Sequence, residues 1–280
     1  MVDHSGHSLL PWAGQDACMR NPTEQQAATY REAGYTVVEG FLDAAELALW
    51  RGTTDEAIAE RLASGGESNQ SDADAYYAQI FTQCERLADT HSGMARLILD
   101  EHLGQAAATL AGVDGLRVWH DQALVKPPYG NPTGWHLDVP FWSFDSPDAI
   151  SIWIALDDAT VENGCLWYLP GTHREARYEL TPIGENLGAL FREYPAWLQL
   201  EPVPAACRAG DAIFHNGLVA HGAGANMTPR PRRAMTCAFM PDGATYNGRP
   251  HSMLPAAYCA SLAVGDPLGD DRLFPLVWRR

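Results

Sequence analysis

Short apolar runs separated by turn residues dominate the chain from Leu116 to about residue 241. Val, Ile, Trp and Phe are frequent in these runs, and Pro, Gly and Asn-Gly interrupt them. This texture predicts short antiparallel strands in a sandwich or barrel rather than a parallel α/β sheet. The runs cover residues 116–119, 123–125, 150–156, 165–169, 211–214 and 235–239.

Helical patterns fill most of the N-terminal third. Pro22 and Glu24 suit the first turn of a helix, and Gly34 suits its end. Asp43 followed by Glu46 is a capping box that opens an amphipathic segment. The segments predicted from such signals are helices over about 22–34, 43–62, 75–87 and 93–110, a strand within 35–42 and a polar loop over 64–72.

Together these patterns predict a single domain over residues 1–280, mainly β with helices and therefore of the α+β class. Its N-terminal helical part covers about 20–112, and these helices wrap a β core over about 116–241. An irregular covering rich in Pro and Gly is predicted over 246–280. No internal repeat and no linker divides the chain.

Composition and charge narrow the class of partner. Of the 280 residues, 46% are hydrophobic and 10% are aromatic, which indicates a packed protein rather than a disordered one. The net charge of −16 repels phosphate backbones and anionic membranes, so neither nucleic acid nor a membrane is an expected partner. Residues 1–18 lack the pattern of a signal peptide, so a cytoplasmic location is expected. The six cysteines form no C-x-x-C pair, which predicts reduced and mostly buried thiols.

A His-x-Asp triplet, His136-Leu137-Asp138, follows a loop rich in Gly, Pro and Asn. Residues two apart on a strand project to the same face, so this imidazole and this carboxylate would point toward one metal ion. Such a triplet also arises by chance in a chain with ten histidines, and a surface turn pair is the alternative interpretation. The triplet therefore needs support from elsewhere in the sequence.

That support comes from His221 and the residues after it. A second imidazole on a late strand would complete a face of two histidines and one carboxylate, which leaves positions open on Fe(II) for an organic chelate and dioxygen. Arg232 follows far enough along the chain to return on the neighbouring antiparallel strand and hold a carboxylate in the same cavity. His215 is the rival distal ligand, but it closes an apolar run, whereas Gly222 lets the backbone approach a site closely.

Two other arginines compete with Arg232 for the carboxylate. Strand alternation turns Arg233 away from the site. Arg230 precedes Pro231, where strand pairing is disfavoured. Arg232 is therefore the preferred carboxylate partner.

Several residues near the motifs have less specific predictions. His120 is expected to be a hydrogen-bonded structural histidine, with a position on the cavity wall as the alternative. Lys126, the only lysine, is expected in a solvated loop, with the cavity entrance as the alternative. Phe141, Trp142 and Phe144 are expected to form a cavity wall, and as a cluster they favour an apolar, planar or cyclic substrate.

These motifs, in this order, resemble the phytanoyl-CoA dioxygenase family of Fe(II)/2-oxoglutarate-dependent oxygenases. The likeness rests on His136-x-Asp138, on the run from His221 to Asn226 and on Arg232. It extends to the segments 119–128 (WHDQALVKPP) and 162–174 (ENGCLWYLPGTHR), and it spans about 116–241. The resemblance implies a double-stranded β-helix, a jelly-roll or cupin-like core, with the iron at one mouth.

The resemblance also implies a role for each matching residue. The metal ligands would double as the catalytic residues, Fe(II) and the co-substrate 2-oxoglutarate would be the cofactors, and O2 would be the oxidant. The residues that match the family's positions are the ligands His136, Asp138 and His221 and the 2-oxoglutarate contacts Arg232, Gln122 and Trp153.

The chain departs from the family pattern at two positions near the metal. Leu137 stands where the family commonly has Gln, and Ala223 stands where a small hydroxyl residue is frequent. The carboxylate of Asp138 argues against a halogenase, because related halogenases carry Ala or Gly there so that chloride can bind the iron.

The function predicted from these residues is an oxygenase that hydroxylates a small, largely apolar or cyclic metabolite of bacterial specialised metabolism and releases succinate and CO2. Desaturation, ring closure and epoxidation are alternative outcomes of the same chemistry. A non-catalytic metal- or ligand-binding β-helix protein is the alternative from another class. A zinc hydrolase with the same ligands would leave Arg232 and Gln122 without a role.

Overall fold

Two antiparallel β-sheets pack face to face in the computed structural model, which describes residues 19–64, 80–251 and 254–280. Each strand pairs antiparallel with its neighbours, as the short apolar runs predicted. The strands are β1 Tyr35–Val38, β2 Thr82–Glu85, β3 Gly115–Lys126, β4 Thr133–His136, β5 Ile150–Ala155, β6 Leu166–Tyr168, β7 Val203–Ala205, β8 Ala212–Asn216, β9 His221–Ala223, β10 Arg232–Pro241 and β11 Leu276–Arg279.

The larger sheet has seven strands in the order β1-β8-β5-β10-β3-β11, and β2 also pairs with β3. The smaller sheet has four strands in the order β4-β9-β6-β7. Side chains from both sheets meet between them, among them Trp153 and Ile213 from the larger sheet and Tyr168 from the smaller one. The predicted α+β class with a double-stranded β-helix core is confirmed.

Helices cover the outer face of the larger sheet. They are α1 Glu24–Ala33, α2 Ala44–Ala63, α3 Ser92–Ile98 and α4 Glu101–Ala111. A fifth helix, α5 Ala256–Ser261, packs in a separate apolar cluster with Trp119 and Phe274. The largest apolar cluster lies between this sheet and the first four helices, and Trp50, Leu103 and Phe214 are fully buried in it. None of the helices in the described ranges is long and apolar enough to cross a membrane.

Local capping signals fix the first two helices where the sequence predicted them. Thr23 caps α1 in a capping box with Gln26, and the helix ends at Gly34 with a φ of 83°. Asp43 caps α2 and forms the predicted capping box with Glu46. These ends are determined by hydrogen bonds within the segment, so they can be recognised without knowledge of the fold.

The predicted helix over 75–87 is wrong for the residues that the structure describes, because Thr82–Glu85 is strand β2. This strand pairs with β3, and long-range pairing therefore overrides the local pattern. Residues 75–79 and most of the predicted loop over 64–72 lie outside the described residues. The helix predicted over 93–110 is divided into α3 and α4 at Asp100, which caps α4.

The prediction of an irregular tail over 246–280 is wrong in two places. Residues Ala256–Ser261 form α5, and strand β11 pairs with β3 at the edge of the larger sheet. Val277 of β11 packs against α4 at Gly104, where a Cβ atom would lie 2.9 Å from the Val277 side chain. The sheet and the helix together therefore order the end of the chain.

The predicted free thiols are confirmed among the described cysteines. Cys84, Cys165 and Cys237 are buried, and Cys207 and Cys259 are partly buried. None of the described cysteines belongs to the group of side chains that could hold a metal.

Candidate metal centre

Three side chains from two distant parts of the chain meet at one point between the sheets. The possible ligand atoms of His136, Asp138 and His221 all lie within 4.8 Å of one another. The Nε2 atom of each histidine lies 3.6 Å from Oδ1 of Asp138, and the two imidazole centroids are 4.2 Å apart. These side chains are thus close enough to share a single metal ion.

Strand pairing brings the two histidines together. His136 on β4 lies directly opposite His221 on β9 in the smaller sheet. Gly222, next to His221, permits the close approach of the two strands, because a Cβ atom there would lie 2.9 Å from the carbonyl oxygen of Thr133. The glycine after His221 thus has the role expected from the sequence.

Asp138 reaches the site by a different route from the predicted one. Strand β4 ends at His136, and Asp138 has φ −78° and ψ −51° at the start of a 3-10 turn, so strand alternation does not orient it. The backbone N–H groups of Asp138 and Val139 both donate to the carbonyl oxygen of Gly217, at 2.9 and 3.0 Å. This turn, anchored to the loop before β9, aims the carboxylate at the two histidines.

Backbone carbonyl groups fix the tautomer of both histidines. Nδ1 of His136 lies 2.9 Å from the carbonyl oxygen of Gly134, and Nδ1 of His221 lies 3.1 Å from that of Val219. A carbonyl oxygen only accepts, so Nδ1 carries the proton in each ring and Nε2 presents a lone pair. The two lone pairs therefore face the carboxylate, as metal binding requires.

Burial and neighbouring charges set the protonation states at the centre. Burial alone would raise the pKa of the Asp138 carboxyl, but His221, His136 and His215 together hold that pKa well below its ordinary value. Burial, and then the neighbouring imidazole of His136, lowers the pKa of His221 to about 3. At neutral pH the centre therefore offers one carboxylate and a neutral imidazole at His221, which are the forms that bind metals.

Arg232 enters the same cavity from the other sheet. It is the first residue of β10 in the larger sheet, whereas His221 lies on β9 in the smaller sheet. The prediction that Arg232 lies on the strand next to that of His221 is therefore wrong, although Arg232 does line the cavity. Its side chain is 1% exposed, and its Nε and Nη1 atoms have no hydrogen-bond partner. Burial lowers the pKa of Arg232 to about 10, so it remains charged at neutral pH.

The other two arginines behave as predicted. Arg233 faces away from the cavity and pairs with Asp157 and Asp55, and Arg230 is exposed. Arg232 is thus the cation that lines the cavity in the described part of the chain. A buried guanidinium with two unpartnered nitrogen atoms fits a carboxylate ligand, because leaving such donors unpaired is costly.

The structure places the two remaining predicted co-substrate contacts on the cavity wall. The guanidinium carbon of Arg232 lies 5.0 Å from the ring centroid of Trp153. Gln122 accepts a hydrogen bond from Nε2 of Gln83, and both residues line the cavity. Sequence reasoning missed Gln83, because it assigned this segment to a helix rather than to a strand beside β3.

The cavity that contains these residues has a volume of about 380 Å³. Phe141 and Trp142 form part of its wall, as predicted, whereas Phe144 is fully buried behind Trp142. His120 lines the cavity, which was the alternative interpretation, and its Nδ1 atom has no hydrogen-bond partner. Lys126 is fully buried rather than in a loop, because it ends β3 and its Nζ donates to the carbonyl oxygen of Asn131 at 2.7 Å.

His215, the rival distal ligand, does not join the group of possible metal ligands. Its Nε2 atom lies 3.1 Å from Oδ2 of Asp138, whereas His136 and His221 face the other carboxylate oxygen, Oδ1. Its ring contacts that of His221, with centroids 4.6 Å apart. The geometry therefore favours His221 over His215 as a ligand.

Comparison with known proteins identifies relatives over most of the chain. The family model described as phytanoyl-CoA dioxygenase (PhyH) matches residues 30–234. Dioxygenase lolE1 of Epichloe uncinata is 36% identical over 152 residues, which are 54% of this chain and 56% of that protein. Methylphosphonate hydroxylase of Gimesia maris is 28% identical over 260 residues, or 90% of this chain and 92% of that protein. The match to the first of these curated relatives spans only about half of its length.

Two solved structures share the fold of this chain. The non-heme alpha-ketoglutarate-dependent carbocyclase SnoK from nogalamycin biosynthesis has a TM-score of 0.75 and 29% identity, covering 91% of this chain and 96% of that chain. The epimerase SnoN, solved in complex with Fe3+, alpha-ketoglutarate and nogalamycin RO, has a TM-score of 0.71 and 32% identity. That match covers 91% of this chain and 98% of SnoN.

Proposed function

The chain belongs to the phytanoyl-CoA dioxygenase family of Fe(II)- and 2-oxoglutarate-dependent oxygenases, and from this premise we propose that it hydroxylates a small, uncharged and largely apolar or cyclic metabolite. The observation that carries the proposal is the shared cavity. Three possible metal ligands converge on it, and a buried arginine with unpartnered nitrogen atoms lines the same space.

The three converging side chains would hold the metal. His136 and His221 would bind through Nε2 and Asp138 through Oδ1, because these are the atoms that face one another. When bound, Fe(II) supplies the chemistry that couples decarboxylation of 2-oxoglutarate to oxidation of a substrate C–H bond by O2, with release of succinate and CO2. Three protein ligands leave positions open for the co-substrate and O2.

Arg232 would orient the co-substrate. Its planar guanidinium can donate hydrogen bonds to the distal carboxylate of 2-oxoglutarate, and its Nε and Nη1 atoms, which have no partner within the chain, are available as donors. Trp153 covers one face of the guanidinium and restricts its rotation. Gln122 and Gln83 add amide groups to the same wall, so the co-substrate would bind in one orientation.

The rest of the cavity supports an uncharged substrate. Its walls include Phe141, Trp142, Leu180 and Ile183, and Arg232 is its one cation among the described residues. The segments outside the described ranges, residues 1–18, 65–79 and 252–253, carry no Lys or Arg in the sequence either. Once Arg232 holds the co-substrate, a phosphonate or an acyl-CoA phosphate would find no cation in the cavity to pair with.

Relatives support the same class of substrate. SnoN was solved with nogalamycin RO, and SnoK is also from nogalamycin biosynthesis, and both match this chain over most of its length. Methylphosphonate hydroxylase, in contrast, is named for an anionic substrate. The apolar cavity walls favour the first kind of ligand over the second.

Ring closure is the second candidate outcome, because SnoK is described as a carbocyclase and has a TM-score of 0.75 with this chain. Desaturation and epoxidation would use the same residues and the same cavity. A binding protein without turnover is disfavoured, since it would have no use for a buried, uncompensated guanidinium beside a possible metal site.

Succinate formation tests the proposal. The protein is loaded with Fe(II) and 2-oxoglutarate without air and then exposed to O2, alone and with panels of uncharged polycyclic compounds, phosphonates and acyl-CoA thioesters. We expect succinate to form faster with one or more of the uncharged compounds. The product of hydroxylation would gain one oxygen atom and be about 16 mass units heavier than the substrate, whereas the product of ring closure or desaturation would lose two hydrogen atoms and be about 2 mass units lighter. No succinate with any compound would contradict an oxygenase, and stimulation by the anionic compounds alone would contradict the proposed substrate class.

A further inference from the structure

His215 lies behind the proposed metal ligands and is not one of them. It is 4% exposed on β8 and lies opposite Ser151 of the neighbouring strand β5. Its Nε2 atom is 3.1 Å from Oδ2 of Asp138, and Oγ of Ser151 donates to the same oxygen at 3.2 Å. Two groups of the larger sheet therefore hold the carboxylate oxygen that does not face the two histidines of the smaller sheet.

A tyrosine fixes the orientation of His215. The hydroxyl group of Tyr168 lies 3.1 Å from Nδ1 of His215. A carboxylate oxygen only accepts, so Nε2 of His215 carries the proton, and in the neutral ring Nδ1 accepts from the Tyr168 hydroxyl. The hydrogen bonds thus run in one direction, from Tyr168 through His215 to Asp138.

Stacking holds the tyrosine in place. The ring of Tyr168 stacks on Tyr35 with centroids 4.0 Å apart and planes at 9°. The same ring also stacks on the proposed ligand His221, with centroids 5.8 Å apart and planes at 27°. The hydroxyl group of Tyr168 therefore cannot leave His215 without disturbing a packed aromatic column.

We propose that His215, oriented by Tyr168, is a positioning residue that keeps Asp138 a one-oxygen ligand. This inference rests on the proposed function, since it takes His136, Asp138 and His221 as the ligands. With Oδ2 held by His215 and Ser151, only Oδ1 faces the Nε2 atoms of the two histidines. A carboxylate that binds through both oxygens would occupy a position that the co-substrate or O2 needs.

Metal binding by three variants tests the hydrogen bonds separately. His215→Leu removes the donor, His215→Gln places an amide Nε2 donor in its place, and Tyr168→Phe removes only the group that orients His215. Fe(II) affinity is measured by anaerobic equilibrium dialysis without co-substrate. The visible absorption of bound Co(II) reports the number of ligands. The exposed His102 provides the control variant His102→Leu.

We expect His215→Leu to weaken Fe(II) binding about 10- to 100-fold, the range typical for partners of metal ligands, and to shift the Co(II) spectrum toward a higher coordination number. Tyr168→Phe should weaken binding less, and His215→Gln should restore affinity to within about threefold of the unmodified protein. The KM for 2-oxoglutarate at saturating Fe(II) should change less than the Fe(II) affinity in all three variants.

Two results would overturn the inference alone. In the first, His215→Leu has the same Fe(II) affinity and the same Co(II) spectrum as the unmodified protein. In the second, His215→Gln binds Fe(II) as weakly as His215→Leu does. Should His215→Leu not fold, Tyr168→Phe decides, and affinity equal to that of His102→Leu would overturn the inference. An unmodified protein that binds no Fe(II) at one ion per chain would overturn the proposed function and this inference with it.

Discussion

The two ends of the cavity differ in how their charged and polar side chains are paired. At the metal end the chain supplies hydrogen-bond partners for the side chains, since backbone carbonyl groups hold His136 and His221 and two side chains hold Asp138. At the other end Arg232 is buried with two unpartnered nitrogen atoms, and Lys126 lies opposite it on the next strand. One end is complete within the chain, whereas the other holds a guanidinium with unpartnered donors, next to a second buried basic group that does not line the cavity.

This difference shows which part of the site depends on the ligand. Burial and the charge of Arg232 lower the pKa of Lys126 to about 7, and burial lowers the pKa of Arg232 to about 10. Keeping these two groups charged therefore costs the folded protein free energy. A dicarboxylate would offset that cost when it binds. The metal end, in contrast, is preorganised, and its geometry is expected to change little on binding.

The largest expected effect is at the metal end. Asp138→Ala should reduce succinate formation by at least about 100-fold, because even partners of metal ligands are worth 10- to 100-fold. The measurement is 2-oxoglutarate turnover together with Fe(II) binding by equilibrium dialysis. Asp114→Ala, at an exposed position far from the site in sequence, is the control. Activity of Asp138→Ala equal to that of the control would remove Asp138 from the ligand set.

The next effect is at the cation end and has two parts. Arg232→Met should raise the KM for 2-oxoglutarate on the order of 100-fold, because loss of a buried, hydrogen-bonded charge pair costs about 2–5 kcal/mol. The same variant should be at least as stable as the unmodified protein without ligand, since it removes an uncompensated buried charge. Initial rates and urea unfolding measure the two parts.

Arg233→Met is the matched control, because Arg233 pairs with Asp157 and Asp55 outside the cavity. It should leave the KM for 2-oxoglutarate within about twofold and should lower the stability slightly. Equal changes in the Fe(II) and 2-oxoglutarate requirements of Arg232→Met would contradict the division of the site into two ends.

Lys126 gives the cation end a dependence on pH. Its pKa is about 7 in the folded protein and about 10.4 in an unfolded chain. Between these values the unfolded chain binds the proton and the folded chain does not, so Lys126 makes stability rise with pH, by at most about 1.4 kcal/mol per pH unit. Lys126→Met should lose this rise and should be more stable than the unmodified protein near pH 7.

Urea unfolding of both proteins at about pH 7, 8 and 9, with a chelator and no co-substrate, measures this effect. The difference between the two proteins isolates Lys126 from the other titrating groups. A difference in stability that does not change across this range would show that Lys126 keeps an ordinary pKa and that the cation end carries no such cost.

The smallest effect concerns one hydrogen bond of the metal end. Ser151→Ala removes one of the two donors to Oδ2 of Asp138 and should weaken Fe(II) binding about fivefold, since a single hydrogen bond contributes about 1 kcal/mol. Ser261→Ala, outside the cavity, is the control. A loss as large as that of Asp138→Ala would mean that the carboxylate is not held by several partners together.

Local signals in the sequence predicted the parts of the molecule that are determined locally. The capping boxes of α1 and α2, the short antiparallel strands and the family's motifs were all readable from residue types and spacing. The family resemblance is confirmed, and with it the β-helix core. The side chains that it singled out meet in one cavity.

Features that depend on long-range pairing were not predictable in this way. Strand β2 has no alternating pattern, and it forms because β3 offers a free edge, so Gln83 was missed as a cavity residue. The burial of Lys126 follows from the length of β3, which joins two runs predicted separately. Alternation along the strand turns Arg232 into the cavity and Arg233 away from it, as predicted, but the sheet to which that strand belongs is a property of the whole fold.

A crystal structure grown without air, with Fe(II) and 2-oxoglutarate, tests the central claim most directly. The account predicts one anomalous iron peak per chain, bonded to Nε2 of His136, Oδ1 of Asp138 and Nε2 of His221, with the distal carboxylate of the co-substrate on Arg232. An iron peak bonded to His215 in place of His221, or a co-substrate that leaves Arg232 unpaired, would contradict it.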